Sequence, residues 1–208
     1  MPLIDLTHPI TADLPVYFPW HPKTAMEQTA TYADHQCVVR RLTIGTHTGT
    51  HIDAPSHVFE GMHDMDGYDP AIWYLSAQVL DFTPRAERHE ITMAELKRRR
   101  VKKGGAVIIK TGWDRFFGRE DYYRTYPPLS VEGAHYLVAQ KIRAVAADTP
   151  FSFEVHKVLL KEGIPLITNL NNTGRLKAGT VRLIAAPLLL QGGDGAPARV
   201  LAVVGRRS

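Results

Sequence analysis

The stretch GTHTGTHIDAPSHVF, residues 45–59, sets His47, His51, Asp53 and His57 within eleven positions. Two histidines four apart would share one face of a helix. Gly45 and Gly49 weaken a helix here, the interleaved threonines do not favour one, and Pro55 opposes its continuation. The segment therefore reads as extended, tightening into a loop at Asp53-Ala54-Pro55. Alternate residues of an extended chain face one way. Positions 47, 49, 51 and 53 are expected on one face, with Gly49 leaving room beside an ion. Two imidazoles and one carboxylate with open positions make a catalytic type of metal site, suited to zinc or manganese. A plainer reading stands beside it: a lone histidine is more often a hydrogen-bonded structural residue, and Asp-Ala-Pro forms a turn by itself. His57, beyond Pro55, is placed to swing back over the site as a general acid–base rather than as a ligand.

On the N-terminal side, residues 38–44 alternate as a strand does. The first 40 residues, rich in Pro, His and aromatics, read as extended segments and turns. On the C-terminal side, residues 78–82 and 106–110 are short apolar runs of the buried-strand type. Between them, residues 92–101 open on a Thr-x-x-Glu capping box and predict a helix. A second helix is expected over 130–140. A third, over 153–162, lies between short strands at 144–147 and 165–168. Residues 181–186 and 199–204 read as closing strands. Strands alternating with helices predict an α/β fold: a single domain over 1–208 with a mixed β-sheet flanked by helices.

Composition narrows the function classes. Hydrophobic residues make up 44% and charged residues 22%, which argues against a disordered chain. No apolar run approaches the roughly 20 residues that span a bilayer, and MPLIDLTHPI does not resemble a secretory signal. The single cysteine, Cys37, cannot form an intramolecular disulfide and suits a reducing compartment. A cytoplasmic protein without membrane contact is expected. The formal charge of +4 is concentrated in the run KRRRVKK, residues 97–103, and in Arg206-Arg207. The run follows a helical pattern, where the helix dipole favours cations, and reads as a solvated helix end rather than a nucleic-acid surface. His8, His21 and His35 read as surface or packing residues.

The motif His47-Thr-Gly-Thr-His51-Ile-Asp53-Ala-Pro55-Ser-His57 resembles the signature of the cyclase family, which includes bacterial kynurenine formamidases and isatin hydrolases. The resemblance extends to Asp5-Leu6-Thr7, Pro15-Val16-Tyr17, Lys110-Thr111-Gly112-Trp113, Asp148-Thr149-Pro150, His156, Ala186-Pro187-Leu188 and Gly192-Gly193. It implies the family's α/β fold, a homodimer or homotetramer, and hydrolysis of an amide or cyclic amide bond in a small aromatic or cyclic substrate at a metal centre. By the same resemblance His47, His51 and Asp53 would be ligands, His57 the proton donor and acceptor, and His156 a ligand to a second metal in dinuclear members. Tyr17 stands where formamidases place an aromatic residue against the substrate; with Phe18 and Trp20 it would form an apolar wall, or else belong to core or interface. One position departs from the pattern. Thr168 stands where dinuclear formamidases carry a bridging glutamate, and neutral threonine is a poor zinc ligand. One zinc or manganese ion per chain is therefore expected, with two as the alternative. Hydrolysis of an ester or lactone, or a metal-binding homologue without turnover, stay open as rival readings.

Overall fold

The computed structural model describes residues 2–12 and 14–205; the Arg206-Arg207 part of the basic charge lies outside the described residues. Ten strands run in chain order: β1 (Leu3–Asp5), β2 (Ala25–Ala30), β3 (Val39–Thr43), β4 (His51–Asp53), β5 (Tyr74–Asp81), β6 (Ala106–Lys110), β7 (Ala144–Ala147), β8 (Leu166–Thr168), β9 (Gly179–Pro187) and β10 (Gly195–Val203). The helices are α1 (Tyr32–His35), α2 (Met93–Arg98), α3 (Tyr122–Thr125), α4 (Val131–Ala139) and α5 (Phe153–Lys161). Strands β5 to β8 are parallel neighbours, while β4, β9 and β10 pair antiparallel. The order β10-β4-β8-β7-β6-β5-β9 returns from β9 to β10, so the expected mixed sheet closes into a seven-stranded barrel. β1 adds to the free edge of β10, and β2 with β3 forms a separate hairpin. The expectation of a sheet flanked by helices needs correcting. The helices are few, and α2, α4 and α5 pack together over the outside of β5 to β8.

Side-chain alternation builds two cores. On β6, Ala106 and Ile108 face the barrel interior while Val107 and Ile109 face the helices. The interior interleaves alanines, among them Ala77, Ala144, Ala146, Ala196 and Ala198, with larger side chains such as Ile52, Ile108 and Ile167. A barrel of this few strands is just wide enough for such side chains to fill. Outside it, Leu96 of α2, Leu137 of α4 and Val155, Leu159 and Leu160 of α5 pack on Leu80, Val145 and Leu166. Thr92 caps α2 with the full capping box: its side chain accepts the Glu95 N–H, and Glu95 accepts the Thr92 N–H. Arg99, in the basic run, lies 3.7 Å from the Phe82 ring and donates to the Asp81 carbonyl, so part of that run is spent on the fold itself.

The same alternation places the site. Ile52 of β4 and Ile167 of β8 point into the barrel. Their neighbours His51, Asp53 and Thr168 therefore point outward. α5 covers part of that outer face. Over β4 a crevice is left, closed on the far side by the N-terminal aromatic segment.

Candidate metal centre

His51 and Asp53 lie on β4 as expected, buried and facing the crevice. His47 arrives differently. β4 begins only at His51, and residues 46–50 form a turn in which Gly49 takes φ +64°. The extended reading of 47–53 therefore fails for its first half. Gly49 serves a left-handed backbone rather than clearance beside an ion: a Cβ there would meet Leu14 at 3.7 Å. The turn is tied down by Thr48, whose Oγ1 accepts the Gly45 N–H at 3.0 Å, and by Thr50, whose Oγ1 donates to the Asn169 carbonyl at 2.7 Å. The room for His47 comes from β10. A Cβ on Gly195 would stand 2.6 Å from His47 Cε1 and 2.9 Å from the Ile52 carbonyl oxygen, so only glycine lets the imidazole lie against the strand. His57 ends the 3-10 turn Pro55–His57 and folds back over His47, with ring centroids 3.9 Å apart. His156, on the first turn of α5, reaches across from the helix layer.

Each imidazole has one nitrogen occupied by an oxygen of the chain. His51 Nδ1 donates to the Gly49 carbonyl at 2.8 Å, and His156 Nδ1 to the Ser152 carbonyl at 2.9 Å. The other nitrogens of His51 and His156, and Nδ1 of His47, turn toward Asp53. Its Oδ1 lies 2.7 Å from His47 Nδ1 and 3.3 Å from His51 Nε2, and its Oδ2 lies 3.2 Å from His156 Nε2. Burial alone would raise the Asp53 pKa, but the facing His51, His156 and His47 hold it well below the usual carboxylate range. Burial would likewise lower His47; hydrogen bonds to Asp194 and Asp53 instead push it up to about 9. Thr168 Oγ1 sits 3.1 Å from both nitrogens of His51, beside it on β8.

This donor set fits a divalent cation. Ligand atoms of His47, His51 and Asp53 lie within 4.8 Å of one another. Ligands held about 2.0–2.2 Å from a tetrahedral ion stand about 3.3–3.6 Å apart. Asp53 Oδ1 already stands 3.3 Å from His51 Nε2, while His47 Nδ1, at a hydrogen-bond distance of 2.7 Å, would draw back slightly around an ion. A second group, Asp53, His57 and His156, meets the same criterion, as does a third, His47, His57 and Asp194.

Asp194 is the residue that sequence reasoning missed. It stands in the Gly192-Gly193-Asp194-Gly195 loop before β10, 137 positions from His57, where no ligand spacing announces it. Its Oδ2 lies 2.8 Å from His47 Nε2 and 3.2 Å from His57 Nδ1. Asn171 and Asn172 turn away and donate to the Thr7 and Asp5 carbonyls. Glu154 is paired with Lys157 on the exposed face of α5 and takes no part.

The crevice has a volume of about 490 Å³. Tyr17, Phe18 and Trp20 all line it, as the sequence suggests, joined by Tyr123, Phe151 and Phe153 from elsewhere in the chain. Phe18 and Trp20 stack at 5.0 Å, and Tyr17 tilts against Tyr123 at 5.2 Å. His21, expected at the surface or in packing, also lines the crevice; burial and the neighbouring histidines lower its pKa.

Residues 4–154 match the family model Cyclase, described as "Putative cyclase". The chain belongs to the cyclase family. This member is 26% identical over 208 residues to a kynurenine formamidase of Erythrobacter litoralis, covering 95% of this chain and 91% of the relative. Among solved structures, isatin hydrolase A from Labrenzia aggregata bound to benzyl benzoate superposes with a TM-score of 0.89 at 25% identity. That match covers 98% of this chain and 93% of the other. A structure described as a potential metal-dependent hydrolase with cyclase activity matches with a TM-score of 0.80 at 28% identity, over 97% and 96% of the two chains. No helix of the described residues is long and apolar enough to cross a membrane.

Proposed function

We propose that this cyclase-family chain is a metal-dependent hydrolase that opens the amide bond of a small, flat, uncharged cyclic or aryl amide. The observation that carries the reading is the convergence of His47, His51 and Asp53 ligand atoms on the floor of an aromatic-walled crevice. A zinc or manganese ion held by these three residues would supply Lewis acidity toward a carbonyl and make water ionise near neutral pH. Asp53 brings the negative charge that a dication needs, and His47 and His51 bring neutral donors of fixed orientation. His57 takes the proton from the attacking water and returns it to the leaving nitrogen as the C–N bond breaks. The products are a carboxylate and an amine, joined in one molecule when the substrate is cyclic. Tyr17, Phe18 and Trp20 hold the flat face of the substrate and keep bulk water from the reacting carbonyl.

The lining favours an uncharged substrate. Among the described residues, no lysine or arginine lines the crevice to pair a substrate carboxylate, His21 is shifted toward its neutral form, and His47 is already paired with Asp53 and Asp194. A cyclic amide of the isatin kind suits this better than an amino-acid formamide of the kynurenine kind. Thr168 supports one ion per chain, because beside His51 it offers a neutral hydroxyl and no second carboxylate. The second reading is a dinuclear centre, favoured by Asp53 Oδ2 and His156 Nε2 standing 3.2 Å apart with His57 beside them. The exposed Trp20 and the free β2–β3 hairpin suit a homodimer or homotetramer.

The test is a panel of isatin, an N-formyl aryl amine with and without an amino-acid side chain, and an aryl lactone, offered to zinc- and manganese-loaded protein. Preference for the uncharged cyclic amide is expected. Preference for the lactone would move the activity to esters, and no turnover of any member with metal bound would leave a metal-binding homologue.

A further inference from the structure

We propose that Asp194 is a positioning residue that fixes one ring nitrogen of each of two histidines at once, coupling the metal ligand His47 to the proton carrier His57. This rests on the metal-dependent reading above and adds a residue to it.

Asp194 Oδ2 lies between His47 Nε2, at 2.8 Å, and His57 Nδ1, at 3.2 Å. A carboxylic acid is a far stronger acid than an imidazolium, so the hydrogens of both contacts reside on the rings and Asp194 accepts twice. That leaves Nδ1 of His47, 2.7 Å from Asp53 Oδ1, as the nitrogen that would hold a metal ion in place of the proton it shares with Asp53. His57 is left with Nε2 as its free nitrogen. A ligating histidine whose other N–H is held by a carboxylate is fixed in tautomer and ring orientation and becomes a better donor. The same carboxylate holding a proton-carrying imidazole keeps its working nitrogen toward the substrate.

The backbone makes Asp194 suitable for this. Its carbonyl accepts the Ala54 N–H at 2.9 Å, next to Asp53, and its successor Gly195 is the seat of the His47 ring. Asp194 is thus tied to both β4 and β10, and the two rings, tilted 41° to each other, share a single carboxylate oxygen. Of the site's other histidines, His51 and His156 are held instead by main-chain carbonyls. His47 and His57 rely on a side chain, and the arrangement is open to mutation there.

The experiment compares wild type, Asp194→Ala and Asp194→Asn. Zinc affinity is read by competition with a chromophoric chelator, tautomers by long-range ¹H–¹⁵N correlation of the zinc-loaded proteins, and turnover at saturating zinc. Asp194→Ala is expected to bind zinc about 10–100-fold more weakly and to lose the His47 Nε2–H signal. Asp194→Asn, whose amide oxygen still accepts one N–H, should recover part of the affinity. Turnover of zinc-saturated Asp194→Ala should fall as far as that of His57→Ala, and the double variant should fall no further. Wild-type zinc affinity and an intact Nε2–H signal in Asp194→Ala would overturn the proposal. So would turnover losses that multiply in the double variant, or affinity losses that merely track a lowered melting temperature in both single variants. Failure of the wild type itself to bind zinc would instead sink the metal-dependent reading, and this inference with it.

Discussion

At the level of single residues, the proposed function separates groups that would hold charge from one that would move a proton. His57→Ala should keep zinc but lose turnover by about 10²–10⁴-fold, the usual worth of general acid–base help; loss of zinc on the same change, seen by metal analysis, would make His57 a ligand instead. Gly195→Ala tests the seat under His47. Its methyl cannot fit 2.6 Å from the ring and 2.9 Å from the Ile52 carbonyl, so zinc affinity should fall at least about tenfold as the ligand is displaced. A chelator titration matching wild type would show that the ring has somewhere else to go. These residues differ in how far sequence reveals them. His51, Asp53 and His57 are legible because ligand types crowd one short segment. His47 is legible as a ligand type but not in conformation, since the left-handed Gly49 converts an apparent strand into a turn. Gly195 and Asp194 act only through a contact made by the fold, between segments nearly 150 positions apart.

At the scale of elements, local chemistry predicts well where it is self-contained. The capping box at Thr92 and Glu95, the apolar run Ala106–Lys110 and the strand Ala144–Ala147 form as their sequences suggest. Helix α5 is equally readable, with Ser152 accepting the Val155 N–H, yet nothing local shows that it delivers His156 to Asp53. The α2 cap carries a measurable consequence. Arg85, together with the Thr92 N–H and hydroxyl, outweighs burial and lowers the Glu95 pKa to about 2 from 4.5. Because the folded value is the depressed one, this stabilisation is fully present above the unfolded value of 4.5. It is lost as pH falls from there toward about 2. Urea denaturation of Glu95→Gln should therefore show a weaker pH dependence than wild type across that window; parallel curves would remove Glu95 from the acid response. Thr92→Ala should cost about 1 kcal/mol at neutral pH through the lost cap.

At the scale of the whole molecule, closure of the sheet is what the chain conceals and what makes the site. Short apolar runs show that β5 to β8 are strands, but β9 returning to pair with both β5 and β10 is a non-local event with no sequence mark. Once closed, the barrel is filled by isoleucines such as Ile52, Ile108 and Ile167 interleaved with alanines, and the outer face of β4 and β8 becomes the place where outward side chains meet α5. Ala146→Leu should therefore destabilise the fold by about 1–3 kcal/mol through overpacking. Denaturation at an unchanged midpoint would mean the interior is looser than its alanines imply. The central claim is that the outward face of β4 and its preceding turn hold a metal ion. Native mass spectrometry of protein stripped and reloaded with zinc tests it most directly. One zinc per chain is expected in the wild type and none in His51→Ala or Asp53→Ala. A wild type that takes up no ion, or variants that keep theirs, would contradict it.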